Sequence, residues 1–142
     1  MANIIPDAFK EELLKGTHNF ASTGGDSFKL ALYTDISGLT ASTTAFTTTN
    51  EVSTSGTNYT SGGNALTNNG VSTASNTAFI DFADLTFSSV TLSAVGAMIY
   101  NDDNSDKICL ILDFGGTKTA TNGDFIIQFP AAGATTAIFR IG

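Results

Sequence analysis

The sequence is poor in charge, in cysteine and in long apolar runs, and each shortage excludes a class of protein. Only 13% of the 142 residues are charged and the six basic residues are scattered, so no basic patch faces nucleic-acid phosphates or anionic lipids. The single cysteine, Cys109, excludes an intrachain disulfide, and its place in the apolar run ICLILDF predicts burial. No stretch reaches the roughly 18 apolar residues of a transmembrane helix.

Histidine is scarce and tryptophan is absent, which restricts the catalytic chemistry open to the chain. His18 is the only histidine, so any Ser-His-Asp or Cys-His arrangement must use it, and a three-histidine zinc site is excluded. Paired carboxylates such as Asp81 and Asp84 could hydrolyse a glycoside. A glycosidase cleft also carries aromatic platforms, however, and the chain has no Trp and three Tyr. We therefore expect a protein that is not an enzyme and needs no cofactor.

The N-terminal residues predict a short helix within IPDAFKEELLKG. Phe9 and Leu13 are four residues apart on one face, with Leu14 beside them. Asp7 is a candidate N-terminal cap, and Gly16 a candidate C-terminal stop. A helix of about nine residues is marginal alone, so its apolar face must dock on its own sheet or on a neighbouring molecule.

Beyond residue 26 the apolar pattern changes to that of β-strands. KICLILDF is apolar on both faces, as in a central strand that is covered on each side. The pattern predicts about eight strands, and hence an all-β fold, an antiparallel, jelly-roll-like β-sandwich. Its domain spans residues 21–142 and follows an N-terminal arm at 1–20. The predicted strands are SFKLALYT, edge strands near 50–59 and 64–72, two strands in NTAFIDFADLTFSSVTLSA broken near Ala83-Asp84, VGAMIYN, KICLILDF, DFIIQFP and TAIFRI.

The most charged stretch, YNDDNSDK at residues 100–107, resembles part of a calcium-binding loop. Asp102, Asn104 and Asp106 occupy positions one, three and five of the D-x-[DN]-x-[DN] pattern, and Asp113 occupies position twelve. Lys107 stands where the pattern needs glycine, and strand patterns replace the helices that flank such loops. The stretch therefore predicts a polar hairpin tip, with Asp102, Asn104 and Asp106 as weak candidates for a structural cation site.

A second stretch, LDFGGTKTAT at residues 112–121, resembles a phosphate-binding turn. Thr117 stands where a Walker A loop needs glycine before its lysine, and a strand pattern follows where a helix is required. We interpret the stretch as a hairpin loop between two central strands, ending at Asn122-Gly123.

Several blocks of the sequence follow one another along nearly the whole chain: MANIIPDAFKEELLKGTHNF, GDSFKLALYT, NEVSTSGTNYTSGGNAL, GAMIYND, LDFGG, TNGDFIIQFP and AIFRI. Together, and in this order, they resemble a family of small structural proteins of tailed-bacteriophage virions. This chain has SGTNY where members have a more regular Gly-Thr-Gly-Tyr, and it lacks the aromatic residue, such as Trp, that members often carry near Phe87.

The resemblance implies a virion component that is present in many copies. The first hypothesis is a capsid decoration or cement protein that forms symmetric clusters such as trimers and binds major capsid subunits through Phe9, Leu13 and Leu14. The second is a subunit associated with the tail, baseplate or fibre, and the third is a small glycan-binding module. The N-terminus lacks the pattern of a signal peptide, so we expect synthesis in the host cytoplasm before assembly into the virion.

Overall fold

The computed structural model describes residues 3–142 and contains one helix and seven strands, which confirms the all-β prediction. Most residues of the seven strands lie in segments that the sequence pattern predicted to be strands. In chain order the elements are α1 (Asp7–Leu14), β1 (Phe28–Tyr33), β2 (Asn64–Ala65), β3 (Asn68–Ala74), β4 (Thr77–Phe82), β5 (Leu85–Asn101), β6 (Lys107–Ile127) and β7 (Phe139–Ile141).

The strands form two antiparallel sheets. The larger has the order β2-β1-β5-β6, and the smaller has the order β3-β4-β7. Side chains from both sheets share one core, in which Leu30 and Ile99 of the larger sheet join Ile80 and Phe82 of the smaller. Phe9 of α1 lies in the same core, so the helix docks on its own sheets rather than on a neighbouring molecule.

The outer face of the larger sheet is also buried. A second apolar cluster contains Tyr33, Met98 and Ile111 of the sheet together with Ile36 and Leu39 of the segment between β1 and β2. This covering segment explains why KICLILDF is apolar on both faces. Its predicted position is wrong, because β6 is the last strand of its sheet and not a central one.

The long segment from 34 to 63 is fastened to β1 by a buried tyrosine and a glutamate. The Tyr59 hydroxyl accepts a hydrogen bond from the Leu32 N–H at 3.0 Å and donates one to Glu51 at 2.8 Å. Glu51 also accepts hydrogen bonds from Ser61 and from the Gly62 N–H. Burial of the phenol raises the pKa of Tyr59, so the hydroxyl stays protonated and keeps both contacts.

Strands β5 and β6 form one long irregular hairpin. Gly96 pairs with Asp113 and Ala94 with Lys118, so residues 114–117 bulge out opposite a single residue of β5. The prediction of a hairpin loop at 112–121 is therefore wrong. Gly115 and Gly116, both with positive φ, make the bulge within a continuous strand instead of a reversal of the chain.

Three further predictions are corrected by the structure. No strand forms at 50–59, where Glu51 makes only an isolated bridge to Tyr33. VGAMIYN is the end of β5 rather than a separate strand. Pro6 is the N-cap of α1, and Asp7 is the first helical residue rather than the cap. The break between β4 and β5 at Ala83-Asp84 is confirmed.

Candidate functional site

A partly buried polar network joins the N-terminal segment to the tip of the β5–β6 hairpin. We call it the His18 network, and His18 is its centre, with a side chain that is 0% exposed. Its Nε2 lies 3.0 Å from Glu12 Oε1, and Lys107 Nζ lies 3.3 Å from the other oxygen of Glu12. The network consists of Glu12, His18, Asp26, Asn101, Asn104 and Lys107.

Asn101 fixes the tautomer of His18. The Asn101 Oδ1 accepts the Asp103 N–H at 3.1 Å, so its amide nitrogen faces the other way. That nitrogen donates to Asp26 Oδ2 at 2.9 Å and to His18 Nδ1 at 3.0 Å. Since Nδ1 is an acceptor, the imidazole proton lies on Nε2 and is donated to Glu12.

The hairpin tip binds the N-terminal segment through further hydrogen bonds. Asn104 Nδ2 donates to the Thr17 carbonyl at 3.1 Å and to Asp26 Oδ2 at 3.0 Å. The Ser27 N–H donates to the Asp103 carboxylate at 2.6 Å. The acids and amides of YNDDNSDK therefore hold residues 17–27 in place, a role that local sequence patterns did not predict.

Cys109 and His18 are brought together by the fold, yet their arrangement does not suit nucleophilic catalysis. The Sγ lies 3.9 Å from His18 Nδ1. Burial raises the pKa of the Cys109 thiol well above its usual range, with the Glu12 and Asp26 carboxylates adding to the effect. The lone pair of Nδ1 that a general base would use is occupied by Asn101. The thiol therefore stays protonated.

The three candidate cation ligands have separate structural roles. The Asp102 carboxylate lies 3.9 Å from Lys29 Nζ, and Asn104 belongs to the His18 network. Asp106 has φ of 55° and accepts the Phe46 N–H on its backbone carbonyl. Among residues 3–142, no group of three or more His, Cys, Asp and Glu is arranged to hold a metal ion.

Calcium should therefore leave the stability of the protein unchanged. We expect the same melting temperature with and without excess Ca²⁺, measured by calorimetry. The melting temperature of the Asp102→Ala variant should likewise be the same with and without the ion. A rise in melting temperature with Ca²⁺ that Asp102→Ala abolishes would contradict this expectation and restore the cation site.

The predicted contact residues of α1 lie in different environments. Phe9 is 1% exposed and packs against the rings of His18, Phe20 and Phe139, so its prediction as a contact residue is wrong. Its ring completes the chain's own core. Leu13 is half-buried and Leu14 is 93% exposed.

Leu13, near the end of α1, shares one groove with exposed apolar side chains of β3 and β7. Val71 and Ile141 are 54% and 57% exposed, and together with Leu13 they line a groove of about 410 Å³. Leu14 does not line this groove itself, but it is the next residue after the groove-lining Leu13. We call Leu13, Leu14, Val71 and Ile141 the Leu14 rim.

A larger cleft of about 650 Å³ lies along β6. Its apolar lining includes Phe114, Phe125 and Phe129, and its polar lining includes Lys118 and Thr119. The cleft has the size of a ligand pocket, and its apolar lining continues the shared core.

Comparisons of the chain with protein-family models, with curated proteins and with solved structures find no significant match. Across residues 3–142, no helix combines the length and apolarity that crossing a bilayer requires.

Proposed function

We propose that the chain is a non-enzymatic structural subunit of a tailed-phage virion, and specifically a decoration protein that binds major capsid subunits on the outside of the head. The Leu14 rim carries the proposal. Val71 and Ile141 are exposed and line one groove with Leu13, and the exposed Leu14 is the next residue after Leu13. Exposed apolar side chains grouped in this way are typical of a surface that a partner covers.

Composition supports the same role. A net charge of −7 makes contact with packaged DNA unfavourable and suits a position on the outer surface of the shell. The low charged fraction suits a protein that is packed among other subunits. The occupied Nδ1 of His18 and the protonated thiol of Cys109 agree with a role without catalysis.

The test uses phage heads assembled without this protein. The purified full-length chain is added, and bound copies are counted after co-sedimentation. We expect saturation at a copy number near that of the major capsid protein. Saturation at a few to a few dozen copies would instead favour the tail-associated role, and binding to host polysaccharide without binding to heads would favour the glycan-binding module.

The Leu14 rim is tested by the variant Leu14→Lys in the same assay. Losing the burial of one leucine costs about 1.5–3 kcal/mol, so we expect head binding to weaken about 10- to 100-fold. Lysine suits the last turn of a helix, so the fold should be retained. Ile126→Lys is the matched control, because it changes an exposed apolar side chain outside the rim and adds the same charge. Equal binding by both variants would contradict the use of the rim.

A further inference from the structure

The outer edge of β6 is only partly covered by the rest of the chain. Ile4 and Ile111 exchange two backbone hydrogen bonds of 2.9 Å on this edge. The Ile108 N–H donates a further hydrogen bond to the Thr44 carbonyl. Among residues 3–142 the bridges on β6 outside the named strands are those at Lys107 and Ile111, and the stretch 118–127 pairs only with β5. Unpaired edges of this kind can accept another strand.

Side-chain alternation changes phase within this open stretch. Leu92 pairs with Ala120 and Val90 with Gly123, so two residues of β6 stand opposite Thr91. Asn122, with φ of 47°, absorbs the extra residue. The buried side chains are consequently Ala120, Phe125 and Ile127, and the exposed ones include Thr119, Thr121, Asp124 and Ile126.

The open stretch is complementary to itself. Residues directly opposite each other in an antiparallel pair point to the same face. Residues 118–127 can pair side by side and antiparallel with the same residues of a second copy, so that residue 118 lies opposite residue 127. The two-fold axis then falls between Asn122 and Gly123. Ile126 then meets Thr119 of the second copy, Thr121 meets Asp124, and buried-face Ala120 meets Phe125. The phase change at Asn122 is what makes these three kinds of pair match in face.

Charge also favours a second copy as the occupant. Lys118 and Asp124 are the only charged residues in the stretch 118–127, so its net charge is zero although the whole chain carries −7. Two such edges meet without the repulsion that usually keeps edge strands apart.

We propose that β6 pairs along residues 118–127 with the same strand of a second copy, forming a two-fold dimer with a continuous sheet. In the dimer Ile126, which is 54% exposed, lies over Thr119 of the partner at the side of the 650 Å³ cleft. The second copy thus supplies one wall of the cleft. This pairing uses a surface separate from the Leu14 rim and does not depend on the virion role.

Sedimentation equilibrium of the purified full-length chain tests the dimer. We expect a reversible monomer–dimer equilibrium, weakened about 10-fold or more by Ile126→Lys, because a lysine would replace the buried isoleucine. Leu14→Lys is the matched control and should leave the equilibrium unchanged. A monomer at all concentrations up to about 1 mM, or a dimer that only Leu14→Lys weakens, overturns the proposal.

Cross-linking tests the register. One variant carries both Thr119→Cys and Ile126→Cys. In the dimer the new thiol at position 119 of one copy should face the new thiol at position 126 of the other copy. Mild oxidation should therefore give a covalent dimer on a non-reducing gel. The control carries Thr119→Cys and Thr121→Cys, with equal numbers of thiols that do not face each other. Buried Cys109 is common to both variants. Equal cross-linking of the two variants, or none in either, overturns the register. Head binding by Leu14→Lys tests the virion role separately.

Discussion

Replacing Phe9 by alanine is expected to lower the free energy of unfolding by about 3–5 kcal/mol. The ring is 1% exposed and lies 4.9 Å from the His18 ring, 6.0 Å from Phe20 and 5.1 Å from Phe139, measured between ring centroids. Removing it leaves a cavity where α1 and both sheets meet, and the rings of Phe20 and Phe139 lose their edge-to-face contacts with it.

The measurement is urea unfolding, followed by circular dichroism, with Leu14→Ala as the control. Leu14 lies on the same helix and is 93% exposed, so its truncation should change the free energy by less than about 0.5 kcal/mol. A large loss of stability in Phe9→Ala and a small one in Leu14→Ala would show that Phe9 is a core residue and Leu14 a surface residue. A stable Phe9→Ala variant that loses only its binding to heads would contradict the docked position of the helix.

Replacing Asn101 by aspartate is expected to cost about 3–5 kcal/mol, although the two side chains have nearly the same shape. The new oxygen cannot donate to His18 Nδ1, and it would face Asp26 Oδ2, which now lies 2.9 Å from the amide nitrogen. A buried like-charged contact would replace two hydrogen bonds, so the attachment of residues 17–27 to the hairpin tip should weaken.

Calorimetry measures the loss, and hydrogen exchange locates it. Exchange should accelerate first in the segment 17–27, which the hairpin tip holds in place. Acid should reduce the deficit of N101D, because a protonated carboxyl group can donate again. Asp102→Asn is the control, an equally small change at a side chain that is 40% exposed, and it should stay within about 0.5 kcal/mol of the parent. Equal effects of the two changes would show that the His18 network contributes no stability.

The sequence allowed the fold class to be predicted because alternation and helical spacing are local properties. Phe9 and Leu13 marked a helix with an apolar face, but the spacing is the same whether that face docks on the chain or on a neighbour. KICLILDF indicated cover on both faces without indicating what provides it. The segment 34–63 provides it, and such a loop leaves no periodic signal.

The His18 network could not be predicted from local patterns, because its members come together only in the folded chain. His18 is 83 residues from Asn101 and 91 from Cys109 in sequence. Asn101 looks like an ordinary turn residue after a strand, and its 0% exposure follows from the arrival of residues 17–27 over the hairpin tip. One signal could have pointed to the network: sequence patterns assigned the single histidine no catalytic role, and the most charged stretch, YNDDNSDK, only a weak metal-binding one.

The distance between the two halves of this network has a consequence for synthesis. The helix leaves the ribosome first, while Asn101, which holds His18, follows 83 residues later. At about 5–20 residues per second, the delay is roughly 4 to 17 seconds. During that time Phe9 has no finished core to enter, so the nascent chain carries an exposed aromatic side chain. Slower translation across residues 18–101 should lengthen this interval and increase aggregation of the newly made protein.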